Sequence, residues 1–236
     1  SIFLSPEERQ ALIGALSPAW TVQPNTDLVR EGANTDELFI IVEGWACRYS
    51  TTNDGGRQLP AVLLPGDIGN LHSLLLDRLD YGIRTLTEVT VMILPRNQAL
   101  ALCEQHPGIA RTFMWLALME NALLAKWMQS LGRRSARSRL AHLLCELSVR
   151  LGGPDQGESQ FRCHLTQEQL ADILGLTAVH LNRVLQQLRA ERMVTTRYRT
   201  ITLPDVASLR RSCGFDPRYL NMDPPRVSLR GMVEGK

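Results

Sequence analysis

The sequence is poor in the features that would place it in a membrane or carry it out of the cell. It contains no uninterrupted apolar run of about 18 residues, the length a membrane-spanning helix requires. Its most apolar helical stretch, 113–128, is broken by Glu120, Asn121 and Lys126. Near the start, Glu7, Glu8 and Arg9 stand where a secretion signal needs an apolar segment. The chain opens on Ser1 rather than Met, which points to a trimmed or processed start. Its five cysteines (Cys47, Cys103, Cys145, Cys163 and Cys213) form no C-x-x-C pair. That excludes zinc fingers and clustered iron–sulfur ligands, and no metal site is expected. The unpatterned thiols fit a reducing cytoplasm. No glycine-rich phosphate loop follows a strand, and H-E-x-x-H and G-x-S-x-G are both absent, so no enzyme is expected.

What is present is an ordinary globular composition, 44% hydrophobic and 21% charged, over 236 residues, a length that suits two domains. The net charge of +2 hides an asymmetry. Residues 1–129 carry −5 and residues 130–213 carry +6, with all thirteen cations of the second segment being arginines. An acidic front and an arginine-rich back point to a sensing domain joined to a nucleic-acid domain.

Local patterns divide the chain the same way. Ser5, Pro6, Glu7 and Glu8 open a helix: a capping hydroxyl, proline at the first helical position, then acids. From about 21 to 94 the chain turns to short β-rich runs, at 38–42, 59–64 and 86–94, punctuated by turns at 53–56 and 65–67. Strands at this spacing predict an antiparallel barrel or roll. Helical periodicity follows at 97–105, 109–131 and 135–151. The middle helix is apolar nearly all round. One stripe is Met114, Ala117, Leu118, Leu124, Met128 and Leu131; another is Phe113, Leu116, Leu123 and Trp127. Such a helix needs two partners: the roll and a second copy of itself, or alternatively the interior of a monomer.

Residues 166–185 have helix-turn-helix spacing. Thr166 caps the first helix with Gln169 as its capping-box partner, Gly175 makes the turn, and Thr177 caps the second helix. Residues 193–203 read as a hairpin with an arginine-rich tip, which makes the unit a winged helix. The recognition helix presents Val179, His180, Asn182 and Arg183 near its start, chemistry suited to thymine methyl, base acceptor or phosphate, adenine, and guanine respectively. Thr166 and Gln167 open the first helix, and Arg197 and Arg199 on the wing suit phosphates. A winged helix can also meet protein, so a ligand-sensing or protein-interaction module is the alternative reading.

In this order, the parts resemble the Crp/Fnr superfamily of bacterial transcription regulators. The motifs that carry the resemblance are Val29-Arg30-Glu31-Gly32, residues 38–44, Leu64-Pro65-Gly66-Asp67 and residues 165–185. The resemblance implies an α+β fold: an N-terminal antiparallel β-roll of jelly-roll type, a long dimerisation helix and a C-terminal winged helix-turn-helix. The corresponding divisions are a cyclic-nucleotide-binding-like sensor at 1–108, the dimerisation helix at 109–134, the DNA-binding domain at 135–215 and a tail at 216–236. It further implies a homodimer binding palindromic double-stranded DNA, with Met114, Ala117, Leu124, Met128 and Leu131 in the dimer interface. The loop 152–159 is implied to touch RNA polymerase. An unidentified small effector is expected in the roll, near Gly66, Asp67, Asn70, Leu71, Asp80 and Tyr81. Ordinary cyclic AMP is not expected. The family's ribose-binding Glu position falls on Asn70, and its phosphate position near Asp80 and Tyr81, where an acid repels phosphate. His72, a lone histidine in the roll, reads as structural rather than as a haem ligand.

Overall fold

The computed structural model describes residues 3–221. Helix α1 (Pro6–Gly14) starts as its sequence dictates: Ser5 and Glu8 form a reciprocal capping box with proline in the first turn. Seven strands follow: β1 (Trp20–Val22), β2 (Asp27–Val29), β3 (Glu37–Glu43), β4 (Ala46–Thr51), β5 (Arg57–Leu63), β6 (Gly82–Thr85) and β7 (Val89–Pro95). They form two antiparallel sheets, ordered β1-β7-β3 and β2-β6-β4-β5. Alternation selects the faces that meet: Phe39, Ile41, Leu63, Ile83, Val89 and Val91 are buried together between the sheets. Gly44 makes the tight turn from β3 to β4 at φ +83°, where a Cβ would lie 2.2 Å from the Glu88 carbonyl oxygen.

Helix α2 (Arg96–Gln105) ends before Pro107, which restarts the chain as α3 (Pro107–Arg133), a helix of 27 residues. One face of α3 lies on the roll through Phe113 and Leu116. Ser135 caps α4 (Ala136–Arg150), whose inner face (Leu140, Leu144, Leu147) is fully buried. The reading unit is completed by β8 (Ser159–Arg162), α5 (Gln167–Leu174), α6 (Ala178–Ala190), β9 (Thr195–Arg197), β10 (Thr200–Leu203) and α7 (Val206–Cys213). Its sheet has the order β8-β10-β9. The expected hairpin is thus a three-stranded wing: β8 begins at Ser159, the last residue of the expected loop 152–159, and pairs with β10. The sequence pattern does not single out β1, β2, β4, β6, β8 or α7. Residues 216–221 of the expected tail form a 3-10 turn (Pro217–Leu220) with Leu220 buried; the remainder of that tail lies outside the described residues.

The two halves share one core. Trp45, Cys47, Leu59, Val62 and Leu64 of the roll belong to the same buried cluster as Leu140, Leu144, Ile173 and Leu181 of the reading unit. A polar clasp reinforces it: Arg57 Nε donates to Asp172 Oδ2 at 2.7 Å, and Gln58 Nε2 donates to the Ile173 carbonyl at 3.2 Å. Among the described residues no helix is long and apolar enough to cross a membrane.

Candidate nucleic-acid interface and sensor cavities

The helix-turn-helix is built by its caps. Thr166 Oγ1 accepts from the Gln169 amide at 3.1 Å while Gln169 Oε1 accepts from the Thr166 amide at 2.8 Å. Gly175 ends α5 in the left-handed region at φ +60°, and Thr177 Oγ1 then accepts from the His180 amide at 3.2 Å to begin α6. Leu181, Val184, Leu185 and Leu188 point α6 inward. The opposite face carries Val179, 73% exposed, with exposed His180, Asn182 and Arg183. The Arg183 side chain makes no hydrogen bond or ion pair among the described residues, so its donors face solvent. Thr166 and Gln167 are exposed at the start of α5, and both capping threonines are engaged with backbone.

The wing presents Arg197 and Arg199, both exposed, on either side of Tyr198. Tyr198 is 95% exposed and holds φ at +55°, the turn conformation of the hairpin tip. The Arg197 guanidinium lies 5.8 Å from its ring. Sequence reasoning passed over this tyrosine, although an aromatic residue between two hairpin-tip arginines was the available signal. Arg189 of α6 donates to Thr196 Oγ1 and so fixes the wing to the recognition helix.

The sensor residues separate into three groups. Gly66 and Asn70 are structural. Gly66 turns the chain at φ +96°, and its amide donates to the Ile41 carbonyl. Asn70 is fully buried; its Oδ1 accepts from the Phe39 amide, and its Nδ2 donates to Glu37 O and Ser73 Oγ. Asp67 and Leu71 line a cavity of about 250 Å³ between the roll, α3 and Arg150 of α4. Asp80 and Tyr81 line a second cavity, of about 210 Å³, together with His72 and Arg78. His72 Nδ1 lies 2.8 Å from the Tyr81 hydroxyl, and burial lowers its pKa.

Between these cavities stands a residue the sequence did not single out. Arg48 of β4 is 4% exposed and forms an ion pair with Glu120 of α3. Its Nε donates to the Gly69 carbonyl at 2.6 Å, and its guanidinium lies 4.8 Å from the centre of the Tyr81 ring. A second buried cluster joins α3 to the reading unit. Glu146, wholly buried, accepts from Trp127 Nε1 at 2.9 Å and from the Tyr219 hydroxyl at 2.6 Å. Desolvation raises its pKa. Burial likewise pushes the Cys47 thiol up to about 12, which leaves it protonated and unreactive.

The geometry defines a β-roll sensor coupled to a winged helix-turn-helix reader. A family model described as a cyclic nucleotide-binding domain matches residues 19–106, and one described as a Crp-like helix-turn-helix domain matches residues 138–212. The transcriptional activator protein FnrL of Cereibacter sphaeroides is 26% identical over 199 residues, covering 82% of this chain and 79% of that one. The nitrogen fixation regulation protein FixK of Rhizobium meliloti is 28% identical over 199 residues, covering 82% and 86%. The solved structure of FixK2 from Bradyrhizobium japonicum superimposes with a TM-score of 0.76 at 22% identity, covering 82% of this chain and 96% of that one. The chain belongs to the Crp/Fnr family and is a DNA-binding transcription regulator with a cyclic-nucleotide-binding-like sensing domain.

Proposed function

We propose that two copies of the chain pair along α3 and present their recognition helices to a two-fold symmetric DNA site. The observation that carries this is the uncovered stripe of α3. Met114 and Leu118 are each 64% exposed and Met128 is 73% exposed, with Ala117 and Leu124 exposed between them and Leu131 exposed beyond. The stripe repeats at coiled-coil spacing, so a second α3 covers it with the same surface. The symmetry of that pairing passes to α6 through the core that α3 and α4 share.

In this reading, Arg183 recognises guanine and Asn182 adenine, while Arg197 and Arg199 hold phosphates. The roll answers an effector other than ordinary cyclic AMP, because Asn70 is committed to the β3 backbone and Asp80 opposes a phosphate. The exposed loop before β8 is the surface offered to RNA polymerase. Replacing its exposed residues is expected to lower transcription while leaving DNA affinity unchanged; unaltered transcription would remove that assignment.

The central test is selection of bound DNA from a random pool, with purified protein and no added ligand. The expected product is a palindrome with half-site centres about one helical turn apart. Enrichment of a lone asymmetric half-site, or of no sequence, would overturn the symmetric reading. Leu124→Glu places a charge in the seam and is expected to sediment as a folded monomer. A folded Leu124→Glu dimer would move the interface elsewhere.

A further inference from the structure

The wing tip carries one residue that the fold itself does not use. Tyr198 takes the first position of the two-residue turn between Arg197 and Thr200, the closing pair of β9 and β10. Four non-glycine residues among the described ones hold a positive φ: Asn25, Arg192, Tyr198 and Asn221. Glycine enters that region freely and asparagine readily; a bulky aromatic residue enters it at a cost. At 95% exposed, the Tyr198 ring recovers almost none of that cost by burial. Its contact with the Arg197 guanidinium joins two exposed groups and leaves the core untouched.

What surrounds the ring identifies its partner. The nine residues 195–203 hold two arginines and no acid. Register places Arg197 opposite Thr200 and Thr195 opposite Thr202 on one face of the wing. Thr196 stands opposite the buried Ile201 on the other. The outward face is therefore cationic and hydroxyl-bearing, chemistry that suits phosphates. The Arg189–Thr196 hydrogen bond fixes the wing to α6. A recognition helix seated in the major groove thus carries the wing to a phosphate strand that bounds that groove. Beyond that strand lies the minor groove.

We propose that Tyr198 enters the minor groove bordering the half-site, its ring edge-on between the two strands, while Arg197 and Arg199 hold phosphates beside it. A flat ring suits a groove about 6 Å wide. The groove floor at A·T pairs presents acceptors, to which the phenol hydroxyl donates; at a G·C pair the guanine amino group stands in the same space. Tyr198 therefore reads A·T against G·C outside the bases that α6 contacts. The wing then carries sequence information as well as affinity. The proposal rests on α6 and the wing being the DNA-facing surface; it does not rest on the dimer.

The test measures binding of the full chain, and of Tyr198→Gly and Tyr198→Asn, to three duplexes carrying the site selected from the random pool. The pairs bordering the site are all A·T, all G·C or all inosine·cytosine, the last being G·C without the minor-groove amino group. The unaltered chain is expected to bind the A·T and inosine·cytosine duplexes alike and the G·C duplex at least about fivefold more weakly. Both variants place a residue that tolerates the turn, so their melting temperature should hold or rise. Each is expected to lose at least about fivefold in affinity for the A·T duplex and to bind all three duplexes alike. Equal binding of the three duplexes by the unaltered chain would overturn the proposal and leave the tip on phosphates only. So would a preference that persists in both variants, since groove shape or the arginines would then be its source. Unchanged DNA affinity in both variants would overturn it in favour of a protein partner for the ring, and a lowered melting temperature in both would overturn it in favour of a role in the fold. A random pool that yields no bound sequence would remove the DNA-facing reading and this role with it; specific binding without discrimination among the borders removes the role of Tyr198 alone.

Discussion

Arg48 and Arg183 carry the same guanidinium into opposite surroundings. Arg48 is buried at the junction of the roll and α3, engaged by a carboxylate, two carbonyls and an aromatic face. Arg183 stands exposed on α6 without an ion pair among the described residues. The division continues inside the arginine-rich segment. Arg134 donates to the Cys213 carbonyl, Arg137 pairs with Glu191, Arg139 donates to the Leu174 carbonyl, and Arg210 pairs with Asp155. Arg183, Arg197 and Arg199 face water instead. The +6 charge of residues 130–213 therefore overstates what the protein offers to DNA. Much of that charge works as internal scaffolding, and the phosphate-facing share is concentrated at α6 and the wing.

Breaking an internal arginine should affect folding; breaking an external one should affect binding. The largest effect is expected for Arg48→Ala, which strands Glu120 and costs about 3–5 kcal/mol of stability in urea unfolding. Replacing Arg48 and Glu120 together by Met and Leu should recover most of that loss. A double variant as unstable as the single would show that Arg48 acts through its carbonyl and ring contacts rather than the ion pair.

His142 probes a base buried beside internal cations. Desolvation, aided by Arg134 and Lys126, lowers its pKa from 6.5 to about 3, so it is neutral in the folded chain. Below about pH 6.5 the unfolded chain takes up a proton that the folded chain refuses. Stability therefore falls as pH drops from 6.5 toward 3, by up to about 1.4 kcal/mol per pH unit from this group. His142→Phe should flatten that contribution when unfolding is compared at pH 7, 6 and 5. Glu146, with its raised pKa, acts in the opposite sense and is unchanged between the two proteins.

Arg183→Ala should leave the melting temperature in place and cost about 1–3 kcal/mol per half-site, with specificity relaxed at one base pair. Arg197→Ala should be the mildest, weakening all sequences alike and lowering the slope of log affinity against log salt by about 1. Equal specificity shifts in these two variants would erase the distinction between base-reading and phosphate-holding arginines.

The parts legible in the sequence are those whose signals are local. Thr166, Gln169, Gly175 and Thr177 lie within twelve residues and dictate the helix-turn-helix through caps and one positive φ. The bare stripe of α3 was equally readable from periodicity. Strand β6 escaped because four residues beginning at Gly82 leave little pattern, and its pairing with β4 is a distant choice. The Arg48–Glu120 pair spans 72 residues, and no spacing rule reaches that far. Asn70 occupies a position expected to face an effector, but its amide is held by the Phe39 amide and the Glu37 carbonyl, contacts set by the turn into the Leu71–Leu74 segment. Glu146 looked like any charged helix residue until Trp127 and Tyr219 closed over it.

The cluster joining Trp45, Leu59 and Val62 to Leu144, Ile173 and Leu181 has a thermodynamic consequence. Sensor and reader cannot lose their interiors separately, because each supplies part of the other's. Heating should reveal one cooperative transition, with a calorimetric enthalpy matching the van't Hoff value for the whole chain. Any molecule that binds only the folded roll then raises the melting point of the recognition helix by mass action, without touching it. Occupancy of the sensor is thereby recorded in the thermal stability of the part that reads DNA.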